Sequence, residues 1–138
     1  MVIMVVDGQG GGIGAAVIKR LREVLGHGEE ILALGTNSVA TSRMMKAGAN
    51  KGATGENAII RTSPLVDVII GPVAVIAAHS MMGELTPGMA EAIASCRARK
   101  ILIPLTQENV TVVGVRSEPL PHQVERAVAV VQEIRSHV

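Results

Sequence analysis

The chain has 138 residues, enough for one hydrophobic core and too few for two. Hydrophobic residues make up 48% and charged residues 18%, which excludes a disordered chain, and a net charge of +1 argues against the broad basic footprint of a nucleic-acid binder. There is no Phe, Tyr or Trp and one cysteine, Cys96, so base stacking on rings, a tyrosine proton donor, an internal disulfide and a cysteine-built zinc site are all excluded.

Val2-Ile3-Met4-Val5-Val6 is an unbroken apolar run, as in a strand buried on both faces. It passes into Asp7 without a basic leader or cleavage site, and no apolar stretch approaches the roughly 18 residues of a membrane span. A cytoplasmic protein with neither membrane nor nucleic-acid partner is expected. After the glycine cluster Gly8 to Gly14, Ile13, Val17, Leu21 and Leu25 recur every four residues and predict a helix that Gly26-His27-Gly28 stops. Ile31 to Leu34 reads as a second strand, closed by Gly35-Thr36-Asn37-Ser38, and Val39 to Ala47 as a second helix. These form a strand–helix–strand unit.

From Ala49 to Ser63 the pattern is weak, with Thr54 able to cap a short helix through Ile60. Val66 to Ile70 predicts a third strand ended by Gly71-Pro72, and Val73 to Met82 a helix. Thr86-Pro87 opens a further helix whose Met89, Ala90, Ile93, Ala94 and Cys96 face inward. Ile101 to Ile103 and Val110 to Val115 read as the fourth and fifth strands, and Val124, Ala127, Val128, Val131, Ile134 and Val138 form the stripe of a last helix. Apolar strands alternating with helices predict a single α/β domain over residues 1–138, a Rossmann-like three-layer sandwich on a mostly parallel five-strand sheet.

The sharpest motif is the turn after the first strand. Its Gly8, Gly12 and Gly14 fit the spacing G-x-x-x-G-x-G and fail both the phosphate-loop and the G-x-G-x-x-G patterns. Glycines there bring the backbone close to a phosphate, and the helix N-terminus offers free N–H groups. The alternative is a turn that only permits close strand–helix packing. Asp7 beside it would repel phosphate unless it caps the glycine loop through backbone N–H groups. At the end of the second strand, uncharged Thr36, Asn37 and Ser38 with Arg43 beyond suit NADP better than NAD, whose ribose usually meets a carboxylate. Gly8, Gln9, Gly10, Gly11, Gly12, Ile13, Gly14, Thr36, Asn37, Ser38, Arg43, Gly71 and Pro72 are therefore the candidate cofactor residues, for NADP or NAD.

The glycine turn resembles that of short-chain dehydrogenases over the first 45 or so residues. Their Tyr-x-x-x-Lys pair has no counterpart here, which rules out hydride transfer by that mechanism. A second likeness spans nearly the whole chain. Asp7 to Gly14, Leu34 to Ser38, Ala40-Thr41-Ser42, Lys46 to Ala49, Gly52 to Ala58 and Ile69 to Pro72 resemble a group of short bacterial and archaeal Rossmann-like proteins catalogued as a domain of unknown function. That resemblance implies a small nucleotide fold and no substrate.

Asp7, His79 and Glu84 are the candidate acid–base groups of an alternative enzyme reading, on a nucleotide or other phosphorylated substrate. The four histidines, His27, His79, His122 and His137, show no metal spacing, so no metal is assigned. Glu56 and Asn57 could reach a sugar or amide, or belong to a plain polar loop, and Pro104 to Gln107 could wall a pocket. Cys96 reads as packing. Met44-Met45 and Met81-Met82 suggest a homodimer contact. The leading expectation is a dinucleotide-binding sensor or partner subunit; a structural dimer with an empty pocket is the blandest alternative.

Overall fold

The computed structural model describes residues 1–105 and 109–137. In chain order the elements are β1 (Val2–Asp7), α1 (Gly12–Leu25), β2 (Glu30–Gly35), α2 (Ser38–Lys46), β3 (Lys51–Thr54), α3 (Glu56–Thr62), β4 (Val68–Pro72), α4 (Pro87–Ser95), β5 (Arg99–Ile103) and α5 (Leu120–Ser136). The strands form one sheet ordered β3-β2-β1-β4-β5, with every neighbouring pair parallel. The register sets Met4 between Leu32 and Ile69, and Asp7 beside Gly35. The order reverses between β1 and β4, and in such sheets the crevice at the carboxyl ends of the strands at that reversal is where ligands bind.

Period-two alternation along β1 splits the core between the two faces. Ile3 and Val5 pack with Val17, Ile18, Met44 and Val128, beneath α1, α2 and α5. Met4 and Val6 pack with Ile59, Leu85, Met89 and Ile93, beneath α3 and α4. The result is the expected α/β three-layer sandwich, with a sheet that is parallel throughout.

Several expectations change. The strand missing from the sequence pattern is β3, Lys51–Thr54, an edge strand exposed along its whole length that pairs with β2 through its backbone and so needs no apolar pattern. Val110 to Val115 is not a strand; Val110, Val112, Val113 and Val115 are all exposed. Thr54 ends β3 and hydrogen-bonds the Thr41 hydroxyl at 2.7 Å, while Gly55 holds the N-cap position of α3. The segment expected as a helix over Val73 to Met82 makes only a short 3-10 turn, Val73–Ile76. Beyond it His79, Met81 and Met82 adopt left-handed φ angles of 56–68°, which a right-handed helix cannot contain.

Thr86 caps α4 as expected, its hydroxyl accepting from Met89 N–H at 3.1 Å. Ala94, however, is exposed, and Cys96 lies just past the helix end, half-buried, with its Sγ donating to the Ile93 carbonyl. Met44 is fully buried and Met81 nearly so, so neither methionine pair presents both members to a partner subunit. Val138, Thr106 and Gln107 lie outside the described residues.

Candidate nucleotide site at the carboxyl edge

β1 ends in Asp7, whose buried carboxylate folds back onto the turn that follows. Its two oxygens accept from Gly8 N–H at 2.8 Å and Gly14 N–H at 2.7 Å. Burial pushes this carboxyl above its ordinary range, against the opposing pull of the Gly14, Gly8 and Ile13 N–H groups and the Arg43 guanidinium. Asp7 thus caps the glycine loop from within, taking part of the positive end of α1 for itself.

The glycines of the turn divide by what surrounds them. A side chain at Gly8 would strike the Met81 sulfur and come within 2.6 Å of Thr36 Oγ1. Gly11 has φ +74°, and its missing Cβ would sit 2.8 Å from Ala40 Cα, so it serves the close approach of α2. Gly14 lies against Met44 in the same way. Gly10 and Gly12 differ: the nearest atoms to a Cβ at either belong to the Arg43 guanidinium, at 3.9 and 3.3 Å. Arg43 reaches over from α2 and donates to the Gly10 carbonyl at 3.3 Å. Among the described residues no hydrogen bond engages the N–H of Gly10 or Gly12. Open backbone donors at a helix N-terminus beside a guanidinium are the groups with which proteins commonly hold an anion.

The neighbouring donors are already occupied. Glu84 Oε1 accepts from the Thr36 hydroxyl at 2.6 Å, Gln9 N–H at 2.9 Å and the Asn37 amide at 2.9 Å. Although its burial acts the other way, these bonds together hold the Glu84 carboxyl below its ordinary range. Asn37 is also the N-cap of α2, its Oδ1 accepting from Ala40 N–H at 2.8 Å, and its amide donates to the Gln9 carbonyl. Glu84 is carried by a turn knotted with backbone bonds, among them His79 N–H to the Leu85 carbonyl at 2.7 Å and Glu84 N–H to the Met81 carbonyl at 3.1 Å.

Of the other predicted residues, Ser38 is exposed as the first residue of α2, and Ile13 packs toward the core under α1. Gly71 and Pro72 are buried within β4, where a Gly71 side chain would meet the Val6 carbonyl oxygen at 2.5 Å, so their surface faces protein. His79 is exposed, and no hydrogen bond or ion pair joins it to Glu84, so the structure does not assemble the acid–base trio of Asp7, His79 and Glu84. Glu56 engages the Thr86 hydroxyl instead of the sheet edge. Among the described residues no group of three or more His, Cys, Asp or Glu could hold a metal ion, and no helix is long and apolar enough to cross a membrane.

A cavity of about 740 Å³ also opens at the carboxyl edge, beyond β4 and β5 rather than over the glycine turn. Val73, Ile103, Pro104, Val115, Gln123 and Arg126 are among its walls. Only Pro104 was legible as a wall residue; the others come from segments 100 or so residues from the glycine motif or carry no motif at all.

A family model described as a domain of unknown function, DUF3842, matches residues 2–136, and the chain belongs to that family. None of the curated proteins matches it. Among solved structures it is similar to a dodecameric FMN-dependent UbiX-like decarboxylase from Escherichia coli O157:H7, with 15% identity and a TM-score of 0.55 over 99% of this chain and 95% of that one. That likeness establishes a Rossmann-like fold.

Proposed function

We propose that this protein binds a phosphate-bearing nucleotide at the carboxyl edge of the sheet, with the phosphate on the Gly10 and Gly12 N–H groups and the Arg43 guanidinium. The observation that carries the reading is the pair of open backbone donors at the start of α1, beside Arg43, at the point where the strand order reverses. Both NADP and NAD suit such a turn. A mononucleotide suits it better, because Thr36 and Asn37, the groups a dinucleotide's second ribose would meet, are engaged by Glu84. The FMN named for the similar decarboxylase is a mononucleotide and is the first ligand to try.

Calorimetric titration with FMN, NADP, NAD and inorganic phosphate tests this. At least one nucleotide is expected to bind, with affinity falling about tenfold or more in Arg43→Ala, the loss of one charge-assisted contact, and unchanged in Lys46→Ala on the same helix. Because the chain has no aromatic residue, a bound flavin or base is read in the near ultraviolet without protein background. No heat from any of these ligands at millimolar concentration would overturn the proposal.

Self-association belongs to the same reading. Several large apolar side chains are exposed, among them Val39, Leu65 and Met82; contact with a second copy is assigned here to the run Val110, Val112, Val113 and Val115, and sedimentation velocity of Val113→Asp against the parent protein checks it. A smaller species is expected in the variant.

A further inference from the structure

Glu84 reaches the glycine turn from the segment between β4 and α4, and its two oxygens fare differently there. Oε1 alone collects the Thr36 hydroxyl at 2.6 Å, Gln9 N–H at 2.9 Å and the Asn37 amide at 2.9 Å. Oε2 takes part in no hydrogen bond or ion pair among the described residues. A single anionic oxygen at the meeting point of backbone, hydroxyl and amide donors is also how proteins hold a phosphate oxygen.

The surroundings fit that comparison. Oε1 lies over the bare Cα of Gly8, where an added Cβ would stand 3.2 Å from it. Glycine in such a turn is what lets a pyrophosphate approach the backbone. Gln9 and Gly10 are consecutive, so the N–H that Glu84 occupies adjoins the open N–H beside Arg43. Consecutive Cα atoms are about 3.8 Å apart, which makes groups held by these two amides near neighbours. The segment leading to Glu84 borders solvent: Met82 is 96% exposed, and a Cβ at Gly83 would meet nothing within 4 Å. Glu84 itself is half-buried, so its carboxylate regains water on swinging outward.

We propose that Gln9 N–H, the Thr36 hydroxyl and the Asn37 amide form a second phosphate subsite, which Glu84 fills in the free protein. One phosphate lies on Gly10, Gly12 and Arg43. A second, joined to the first as in a nucleoside diphosphate or a dinucleotide, enters by displacing the Glu84 side chain. Glu84 is thus the residue that discriminates single-phosphate from double-phosphate ligands. The subsite rests on the nucleotide reading of the turn and adds to it the place of the second phosphate.

Amide NMR titrations of the parent, Glu84→Gln and Glu84→Ala with inorganic phosphate and pyrophosphate test it. Glu84→Gln removes the charge but keeps an oxygen for the three donors, so both anions should bind several-fold more tightly. Glu84→Ala clears the donors as well. Pyrophosphate should then gain about a further tenfold through new charge-assisted contacts, while phosphate read at Gly10 and Gly12 gains nothing more. Adding Thr36→Val to Glu84→Ala should remove most of the pyrophosphate gain. A carboxylate that only fastened its own turn would leave the ratio of the two affinities where it was. Should Glu84→Ala lack the parent's circular dichroism, the parent decides: millimolar pyrophosphate moves the Asn37 side-chain amide resonance and phosphate does not. Equal gains for the two anions in Glu84→Ala, or an Asn37 amide that pyrophosphate leaves in place, would overturn the subsite. Phosphate binding that still depends on Arg43 in that case leaves the nucleotide reading standing. Failure of both anions to bind any of these proteins also overturns the subsite, and the nucleotide titrations then judge the broader reading.

Discussion

At the residue scale, Asp7 and Glu84 are two carboxylates that both accept backbone N–H groups of the glycine turn, and they are tuned in opposite directions by what surrounds them. The folded protein raises the Asp7 pKa above its ordinary 3.8, chiefly by burial, so between those two values the folded state binds a proton that the unfolded state releases. The resulting stabilisation is complete below the ordinary value and is lost as pH rises through the folded one. Glu84 is lowered from its ordinary 4.5, so its contribution is present above that value and is lost as pH falls through the folded one. Asp7→Asn isolates the first effect: urea unfolding should show a parent advantage over this variant that is larger at about pH 4 than at about pH 7. A larger advantage at the higher pH would mean that the Gly8 and Gly14 N–H groups outweigh burial. Gly8→Ala is a steric test, since its Cβ must displace the Met81 sulfur and Thr36; overpacking of this kind is expected to cost about 1–3 kcal/mol.

The element that most repays attention is the turn between β4 and α4. Four of its residues, His79, Met81, Met82 and Gly83, have left-handed φ, and three of these are not glycine. Left-handed backbone costs a residue with a Cβ about 1–2 kcal/mol, and such conformations persist where surrounding contacts over-determine them. Here those contacts are Ser80 Oγ on the Ala74 carbonyl at 2.6 Å, the buried Met81 and the three donors gathered on Glu84. Met82 is 96% exposed, so removing its side chain sacrifices no packing. Met82→Gly should raise stability by about 1 kcal/mol, measured by chemical unfolding. Glu84→Gln keeps the size of the side chain and removes the negative charge beside the open Gly10 and Gly12 donors. On the nucleotide reading, calorimetry should show this variant binding phosphate-bearing ligands several-fold more tightly than the parent; weaker binding would mean that Glu84 itself touches the ligand.

Across the whole molecule the sheet separates two half-cores that share β1. Leu21 lies under α1 on one face and Leu85 beside α4 on the other, and both are fully buried. Each Leu→Ala substitution is expected to cost about 2–5 kcal/mol through lost burial and a residual cavity. Having no shared partners, the two should add to within about 0.5 kcal/mol in the double variant, as read by urea unfolding. A deficit larger than this would show that strain passes through β1.

The buried parts of this fold were legible because burial writes itself into sequence. Val2 to Val6 could only be a strand covered on both faces, the four-residue recurrence from Ile13 to Leu25 could only be a helix with one apolar stripe, and Thr86-Pro87 announced the start of α4. The whole-length resemblance pointed to the family to which the chain proved to belong. β3 was invisible because an exposed edge strand is held by backbone hydrogen bonds and leaves no hydrophobic trace, while the Val110 to Val115 run imitated a strand without a neighbour to pair with. The glycine cluster announced a special turn, but only the packing of α2 and of the Met81–Glu84 turn decides which glycines make room for protein and which face outward. The meeting of Glu84 with Thr36 and Asn37 likewise appears only once β2 and β4 take their places on either side of β1, because side chains far apart in sequence meet through topology and not through local preference.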